Sequence, residues 1–289
     1  MAITVRQLHQ LFVGEVSGVD ISRPLDQETV KVLTDAIDRY AVLVFHDQSL
    51  DDETQIAFAA NFGGISMPRY NYASKHRIDA RLADISNLDA DGSVRSATHH
   101  RRLDSFGNML WHTDASFRRV PGALSMLYAH KVPGEGGETE FADLRAAWDA
   151  LPARKQAEIE SLVAEHSIWH SRALVGFYDF TDEQRAEVPP VPQRLVRTHP
   201  GSKRKTLYLA AHASHIVGWP IPEGRMLLND LTEHATQREF VHRHHWRVGD
   251  LVIWDNRCTM HRGRAYDMSG AIRDLRRITT QDVASTLDQ

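Results

Sequence analysis

Short apolar runs that resemble β-strands follow one another through much of the sequence, and helices do not separate them regularly. A doubly wound parallel sheet needs strands and helices in alternation, so this order disfavours that architecture. Many short strands with a few helices are typical of a barrel or a double-sheet jelly roll. We therefore predict a mainly β fold with helical insertions. The predicted strands span residues 41–45, 124–131, 139–141, 195–198, 206–210, 238–246, 251–254 and 273–279.

A smaller set of segments has apolar side chains at helical spacing. In residues 26–40 the apolar positions include Leu33 and Ile37, and Asp26 is placed to cap the helix. Residues 65–108 are polar and poorly patterned, which predicts a long loop. No repeat or long linker divides the chain, so we predict a single domain over residues 1–289. The other predicted helices span residues 51–62, 144–151, 153–166 and 223–236.

The overall composition excludes several classes of protein. A formal net charge of −4 with 25% charged residues gives no general attraction to nucleic acid or to an anionic membrane. The one cysteine, Cys258, excludes an intramolecular disulfide and any site that needs several thiolates. The N-terminus lacks the pattern of a signal peptide, and no run of about 18 apolar residues is present. We expect a cytoplasmic protein. The helical segments 153–166 and 223–236 either cover the barrel or form the contacts of a homo-oligomer.

The sharpest local motif is Trp111-His112-Thr113-Asp114. In a strand, residues two apart point to the same face, so an imidazole and a carboxylate would project together. His-x-Asp alone occurs often by chance, and the alternative is a half-buried histidine beside a surface acid. His261 follows a predicted strand far downstream and offers a third ligand. Two histidines and a carboxylate form the facial triad of Fe(II) oxygenases, although zinc hydrolases use the same ligand types.

A basic cluster at residues 273–277 favours the oxygenase over the hydrolase. Strand alternation puts Arg273 and Arg277 on one face and Arg276 on the other. An inward arginine binds a carboxylate through two parallel hydrogen bonds, as a 2-oxo diacid bound at iron requires. A zinc hydrolase has no equivalent need. The alternative is a solvated surface edge, which we favour for Arg276 only.

With these residues in view, the chain resembles the taurine/2,4-D dioxygenase family of Fe(II)- and 2-oxoglutarate-dependent enzymes. Within that family it is most similar to the 2,4-dichlorophenoxyacetate dioxygenases. The similarity runs nearly from end to end. Its strongest segments are LWHTDASF (110–117), GGETEFADLRAAWDALP (136–152), EHATQREFVHRHHW (233–246) and GDLVIWDNRCTMHRGRAYD (249–267).

The resemblance implies a double-stranded β-helix, or jelly roll, that uses Fe(II), 2-oxoglutarate and O2. It implies that His112, Asp114 and His261 bind the iron. It also implies that Thr139 and Arg273 hold the distal carboxylate of 2-oxoglutarate, with Trp254 packed against it. The stretch between His261 and the arginines is one residue longer than the usual family spacing. If the loop at Gly270 does not absorb that residue, Arg276 becomes the inward anchor.

The resemblance further implies hydroxylation of an aryloxyalkanoate, the chemistry of herbicide degradation. Such a substrate is a small-molecule carboxylate, and Arg277 is the candidate partner for its charge. Residues 65–108 are the predicted active-site lid. Alternatives are a taurine or alkylsulfonate dioxygenase that releases sulfite, a zinc hydrolase, and a non-enzymatic jelly roll that has lost its metal. Other candidate substrate contacts are Asn108 and Ser116, for which the alternative is a structural role. Further candidates in the predicted lid, for which the alternative is an exposed loop, are Tyr70, Tyr72, Lys75 and His76.

Overall fold

The structure is a computed structural model that describes residues 2–68 and 77–289. The strands are β1 (Thr4–Gln7), β2 (Gly14–Ser17), β3 (Val42–Phe45), β4 (Ala83–Ser86), β5 (Gly122–Lys131), β6 (Thr139–Asp143), β7 (Val163–His166), β8 (Val191–Arg194), β9 (Val196–Thr198), β10 (Lys205–Leu207), β11 (Ala213–Ile216), β12 (Val241–His244), β13 (Leu251–Asp255), β14 (Thr259–Gly263) and β15 (Asp274–Gln281). The helices are α1 (Gln27–Tyr40), α2 (Asp52–Ala60), α3 (His100–Ser105), α4 (Leu144–Asp149), α5 (Ala153–Ile159), α6 (Ile168–Ala173), α7 (Asp182–Glu187) and α8 (Ile221–Ala235). Short 3-10 turns occupy Phe106–Met109, Arg238–Phe240 and Thr286–Asp288.

The largest sheet has the strand order β1-β2-β3-β13-β5-β15-β4. Its neighbouring strands are antiparallel except for the parallel pair β2 and β3. Side chains alternate between its two faces, as a pleated strand requires. On β13, Leu251 and Ile253 point to one face, whereas Val252 and Trp254 point to the other. Both faces are buried, which explains why β13 reads in the sequence as a continuous apolar run.

Helices α1 and α2 cover the outer face of this sheet. Asp26 caps α1 by accepting a hydrogen bond from the Thr29 backbone N–H at 2.7 Å, as the sequence predicted. Leu33 and Ile37 are fully buried against the sheet. Burial of each such side chain contributes about 1.5–3 kcal/mol to folding. The helices therefore fix the outer layer and leave the inner face for other contacts.

The inner face packs against a three-stranded sheet of order β12-β6-β14. Phe141 of β6 enters the same apolar cluster as Val252, Trp254 and Leu275 of the large sheet. His112 joins the edge of the small sheet through an isolated bridge to His261. Two mainly antiparallel sheets packed face to face, with helices added outside, form the jelly roll that the sequence predicted.

The second half of the chain adds the sheets β11-β7-β8 and β10-β9, which pack with α4 and α8 around a further apolar cluster. The prediction of one helix over residues 153–166 was wrong, because α5 ends at Ile159 and Val163–His166 is a strand. β7 pairs with strands on both sides, and this pairing overrides the local helical preference. Residues 238–246 likewise begin as a 3-10 turn rather than as a strand.

The long loop expected at residues 65–108 contains β4 and α3. Its residues 69–76 lie outside the described part of the chain. Where the chain is described, none of its helices has both the length and the apolar character needed to cross a bilayer.

Candidate metal and co-substrate site

Backbone pairing brings His112 and His261 together. The N–H of His112 donates to the carbonyl of His261 at 3.0 Å, and the N–H of His261 donates back at 2.8 Å. Directly opposed residues of an antiparallel pair point to the same face, and here the ring centroids lie 4.1 Å apart. Asp114 completes the cluster, with its carboxylate oxygens 3.8 Å from Nε2 of His112 and 3.7 Å from Nε2 of His261.

The two imidazoles are held in a form that can bind a metal ion. Nδ1 of His112 lies 2.7 Å from the carbonyl oxygen of Leu110, which accepts only, so this nitrogen carries the proton. Nε2 then presents its lone pair beside Asp114. Burial lowers the pKa of His112, although the charge of Asp114 opposes that shift. Burial and the neighbouring His112 lower the pKa of His261 well below its usual value. Both rings are therefore neutral near pH 7.

The carboxylate of Asp114 is ionised despite being buried. Burial raises its pKa, but the positive charge of Arg277 and the hydrogen bond from Ser125 lower it, and the pKa lies below its ordinary value. Arg277 donates to Oδ1 at 2.5 Å, and the Ser125 hydroxyl donates to Oδ2 at 2.7 Å. Two neutral imidazoles and one carboxylate, with ligand atoms within 4.8 Å of one another, fit a divalent ion that prefers nitrogen and oxygen ligands.

Arg273 is a buried cation without an acidic partner. Its guanidinium donates to the carbonyls of Ile85 at 3.2 Å and Gly137 at 3.4 Å. No carboxylate of the described residues lies within 4.0 Å of it, and the undescribed residues 69–76 contain no acid. Burial accordingly lowers the pKa of Arg273. Because an unpaired buried charge is costly, this site fits a ligand that brings a carboxylate, such as 2-oxoglutarate.

The loop before β15 sets the orientation of the three arginines. The carboxylate of Asp267 accepts from the backbone N–H groups of Ser269 and Gly270 and closes a turn. The side chain of Asn87 then accepts from the N–H of Arg273, so the chain enters the strand in a defined register. Arg273 and Arg277 line the inner cavity. Arg276 points to the outer face, where it forms an ion pair with Asp52 of α2.

Thr139 and Trp254 flank the same cavity. The indole N–H of Trp246 donates to Oγ1 of Thr139 at 3.0 Å, which leaves the threonine hydroxyl proton to donate elsewhere. The ring of Trp254 lies beside His261 with centroids 4.6 Å apart. Trp254 therefore contacts a proposed metal ligand and the cavity at once.

The described residues enclose a cavity of about 580 Å³ next to these groups. Small-molecule sites typically measure about 300–1,000 Å³. Asn108 lines the cavity, and its predicted contact with substrate stays a prediction. Ser116 is not among the residues that line the cavity. Its hydroxyl group forms a hydrogen bond with Nδ1 of His166 at 3.0 Å instead. Tyr70, like Tyr72, Lys75 and His76, lies outside the described residues.

Sequence reasoning missed Ser125, Asn256 and Trp246, which contact the site from behind. Trp246 and Asn256 lie inside two of the segments that carry the family resemblance, so the signal was present but was not used. Ser125 lies in a buried strand and gives no local signal. His212 was also missed; it lines the cavity with its ring centroid 6.1 Å from that of His112.

Comparisons with known proteins place this geometry in a family. The model of the taurine catabolism dioxygenase TauD, TfdA family matches residues 4–279. The chain is 49% identical to the alpha-ketoglutarate-dependent 2,4-dichlorophenoxyacetate dioxygenase of Cupriavidus pinatubonensis, over 98% of this chain and 99% of that one. It is 36% identical to the (S)-phenoxypropionate/alpha-ketoglutarate-dioxygenase of Sphingobium herbicidovorans, over 93% of this chain and 91% of the relative.

A solved structure agrees with these relatives. The crystal structure of AAD-2 in complex with Mn(II) and N-oxalylglycine superposes with a TM-score of 0.95 at 50% identity, over 99% of this chain and all of that one. N-oxalylglycine is 2-oxoglutarate with one methylene replaced by N–H. These findings confirm the predicted fold, the enzyme class and the use of Fe(II), 2-oxoglutarate and O2. They disfavour a zinc hydrolase and a non-enzymatic jelly roll that has lost its metal. The chain belongs to the taurine catabolism dioxygenase TauD, TfdA family, and it is an Fe(II)- and 2-oxoglutarate-dependent dioxygenase.

Proposed function

We propose that this enzyme hydroxylates an aryloxyalkanoate, such as 2,4-dichlorophenoxyacetate, at the carbon next to the ether oxygen. The resulting hemiacetal breaks its bond to the aryl oxygen and yields a phenol and glyoxylate. In the same cycle, 2-oxoglutarate is oxidatively decarboxylated to succinate and CO2. One atom of O2 enters succinate, and the other enters the new hydroxyl group of the substrate. Two relatives that act on phenoxy acids, described above, support this substrate class.

We assign the iron ligands to His112, Asp114 and His261. Iron supplies the oxidising chemistry when it is bound, and the protein supplies position and charge. The distal carboxylate of 2-oxoglutarate is assigned to Arg273 and the hydroxyl of Thr139. Trp254 forms a wall of the cavity beside His261 and restricts where the co-substrate lies.

The position of Arg277 in the cavity is the main support for an anionic substrate. This residue is a second cavity arginine, separate from Arg273, and its Nε is buried without a partner among the described residues. A substrate carboxylate accepts from this guanidinium and so comes to lie next to the metal ligands. Phe117 and Met109 provide apolar lining for an aromatic ring, and Asn108 provides a polar contact.

Parallel turnover of two substrates tests the proposal. The enzyme is loaded with Fe(II) and 2-oxoglutarate and offered either 2,4-dichlorophenoxyacetate or taurine. We expect succinate in equal amount to the phenol with the first substrate and little sulfite with the second. Sulfite release from taurine without phenol from the herbicide would support the alkylsulfonate alternative instead. The 2,4-dichlorophenoxyacetate methyl ester is a matched control, because it lacks the charge that Arg277 is proposed to bind.

Four expectations from the sequence stay predictions. They are the single domain, the lid at residues 65–108 with Tyr70 as a substrate contact, the homo-oligomer and the cytoplasmic location.

A further inference from the structure

A buried amide, Asn256, connects two parts of Asp114. Its Oδ1 accepts from the backbone N–H of Asp114 at 3.1 Å. Its Nδ2 donates to Oγ of Ser125 at 2.9 Å, and this hydroxyl contacts Oδ2 of Asp114 at 2.7 Å. Asn256 and Ser125 are completely buried, and they lie 131 residues apart in the sequence. Water therefore does not replace any of these contacts.

The donors and acceptors of this network fit in only one arrangement. Oδ1 of Asn256 receives a second N–H, from the indole of Trp254 at 3.0 Å. Because both of these partners can only donate, the amide oxygen must face them and the amide nitrogen must face Ser125. The orientation of the Asn256 side chain is thus determined by three separate groups.

The hydroxyl of Ser125 is equally determined. It accepts from Asn256, and the ionised carboxylate of Asp114 cannot donate to it. Its proton must therefore point to Asp114. Thr279, 3.0 Å away, then donates its own proton to Ser125. The serine makes one donated and two accepted hydrogen bonds, which is its full capacity, so the contact to Asp114 has no competing geometry.

We propose that Asn256 and Ser125 are positioning residues that orient the carboxylate of Asp114 for metal binding. Asn256 fixes the peptide of Asp114, and Ser125 fixes Oδ2. Rotation about either side-chain bond of Asp114 breaks the contact to Ser125. With that contact in place, Oδ1 lies 3.8 Å from Nε2 of His112 and Oδ2 lies 3.7 Å from Nε2 of His261. The inference rests on the proposed role of Asp114 as a metal ligand. It does not depend on which substrate the enzyme oxidises.

The same amide also acts on the other side of the site. Trp254 donates to Asn256, and its ring lies beside His261 with centroids 4.6 Å apart. Asn256→Asp replaces the donor Nδ2 with an oxygen that can only accept, so this oxygen competes with Asp114 for the proton of Ser125 and also changes the group that Trp254 contacts. Ser125→Ala removes the contact to Oδ2 of Asp114 but leaves the two hydrogen bonds that Oδ1 of Asn256 accepts. We expect Asn256 variants to weaken metal binding more than Ser125 variants do.

Titration of the protein with Co(II) alone tests this proposal. Binding is measured by calorimetry and by the visible absorption of the bound ion. Ser125→Ala is expected to raise the Kd for Co(II) by about 10-fold, and Asn256→Asp by up to about 100-fold, in the range found when outer contacts of metal ligands are removed. The visible spectrum is expected to change in both variants, because it reports the ligand geometry around the ion.

Gln55→Glu is the matched control. Gln55 is also a fully buried amide, and it donates to the carbonyls of Met126 and Arg276 on the outer face of the same sheet. Gln55→Glu is expected to lower the unfolding temperature of the protein, as is Asn256→Asp. Unlike Asn256→Asp, it is expected to leave the Kd for Co(II) and the spectrum of bound Co(II) unchanged.

Wild-type affinity and spectrum in folded Ser125→Ala and Asn256→Asp would overturn the proposal, as would an equal loss of affinity in Gln55→Glu. Failure of wild-type protein to bind Co(II) would overturn it together with the metal assignment. A wild-type protein that binds Co(II) normally but does not oxidise phenoxy acids would refute only the proposed substrate.

Discussion

The arginines on the two faces of the sheet at β15 have different kinds of partner. On the outer face, Arg276 is paired with Asp52 of the helix above it. On the inner face, Arg273 directly precedes the strand, donates to two carbonyl groups and lies 5.9 Å from the ring centroid of Tyr266. Arg277 and two imidazoles surround the carboxylate of Asp114. Arg276 is therefore neutralised within the fold. Arg273 lacks an acidic partner among the described residues, and Arg277 is paired with a carboxylate that is itself placed to bind a metal ion. The outward-pointing arginine thus contributes to the stability of the fold, whereas the inward-pointing arginines are available for ligand binding.

The largest expected effect of breaking this contrast is at Arg273. Arg273→Gln removes the cation proposed to hold 2-oxoglutarate, and removing one partner of a buried charge pair costs about 2–5 kcal/mol. We expect the KM for 2-oxoglutarate to rise by roughly 30-fold or more. The unfolding temperature of the ligand-free protein should not fall, because the residue has no acidic partner there. An unchanged KM in a folded variant would remove Arg273 from the co-substrate site.

Arg277→Gln should affect a different ligand. A charge-assisted hydrogen bond is worth about 1.5–3 kcal/mol, so the KM for the aryloxyalkanoate is expected to rise by roughly 10- to 100-fold. The KM for 2-oxoglutarate should change by less than about twofold when metal is saturating. Steady-state kinetics with each ligand varied in turn measures both values. Equal increases in the two constants would contradict separate roles for the two inner arginines.

Trp246→Phe refines the inner face on a smaller scale. The ring is retained, but the hydrogen bond to Thr139 is lost, at a cost of about 1 kcal/mol. We expect the KM for 2-oxoglutarate to rise by about fivefold. Trp148→Phe, at a buried tryptophan outside the cavity lining, is the matched control and should leave that KM unchanged. The same increase in both variants would point to a general loss of packing.

The smallest effect is expected on the outer face. Arg276→Gln breaks the ion pair with Asp52. The side chain of Arg276 is 19% exposed, and that of Asp52 is 21% exposed. Partial exposure limits the loss to about 1 kcal/mol in the free energy of unfolding. Chemical denaturation should detect this loss, while both KM values stay near those of the wild type. A large rise in the KM for 2-oxoglutarate would show that the wrong arginine has been assigned to the cavity.

Local patterns in the sequence predicted the parts of this molecule that depend on neighbouring residues. The α1 helix with its Asp26 cap and the buried run of β13 are of this kind. Residues 163–166 were mistaken for helix because their partners in β8 and β11 are distant in sequence. Pairing over long separations is not visible in a local pattern, and there it decides the structure.

The site divides in the same way. His112, Asp114 and His261 could be proposed from spacing and strand position. Ser116 could not be placed, because Ala115 adopts a positive φ of 56° and the chain turns, which ends the alternation of faces. The link between Ser125 of β5 and Asn256, in the turn after β13, could be found only in the folded structure.

The reciprocal hydrogen bonds between His112 and His261 join main-chain atoms, and no metal-binding atom takes part in them. Their main chains are joined by the sheet itself, so an ion that dissociates takes away its own bonds but not the arrangement that receives it. Demetallation of this enzyme should therefore be a reversible exchange with solution rather than an unfolding event. A preparation stripped by a chelator should recover through simple addition of ferrous salt, without passage through a denatured state.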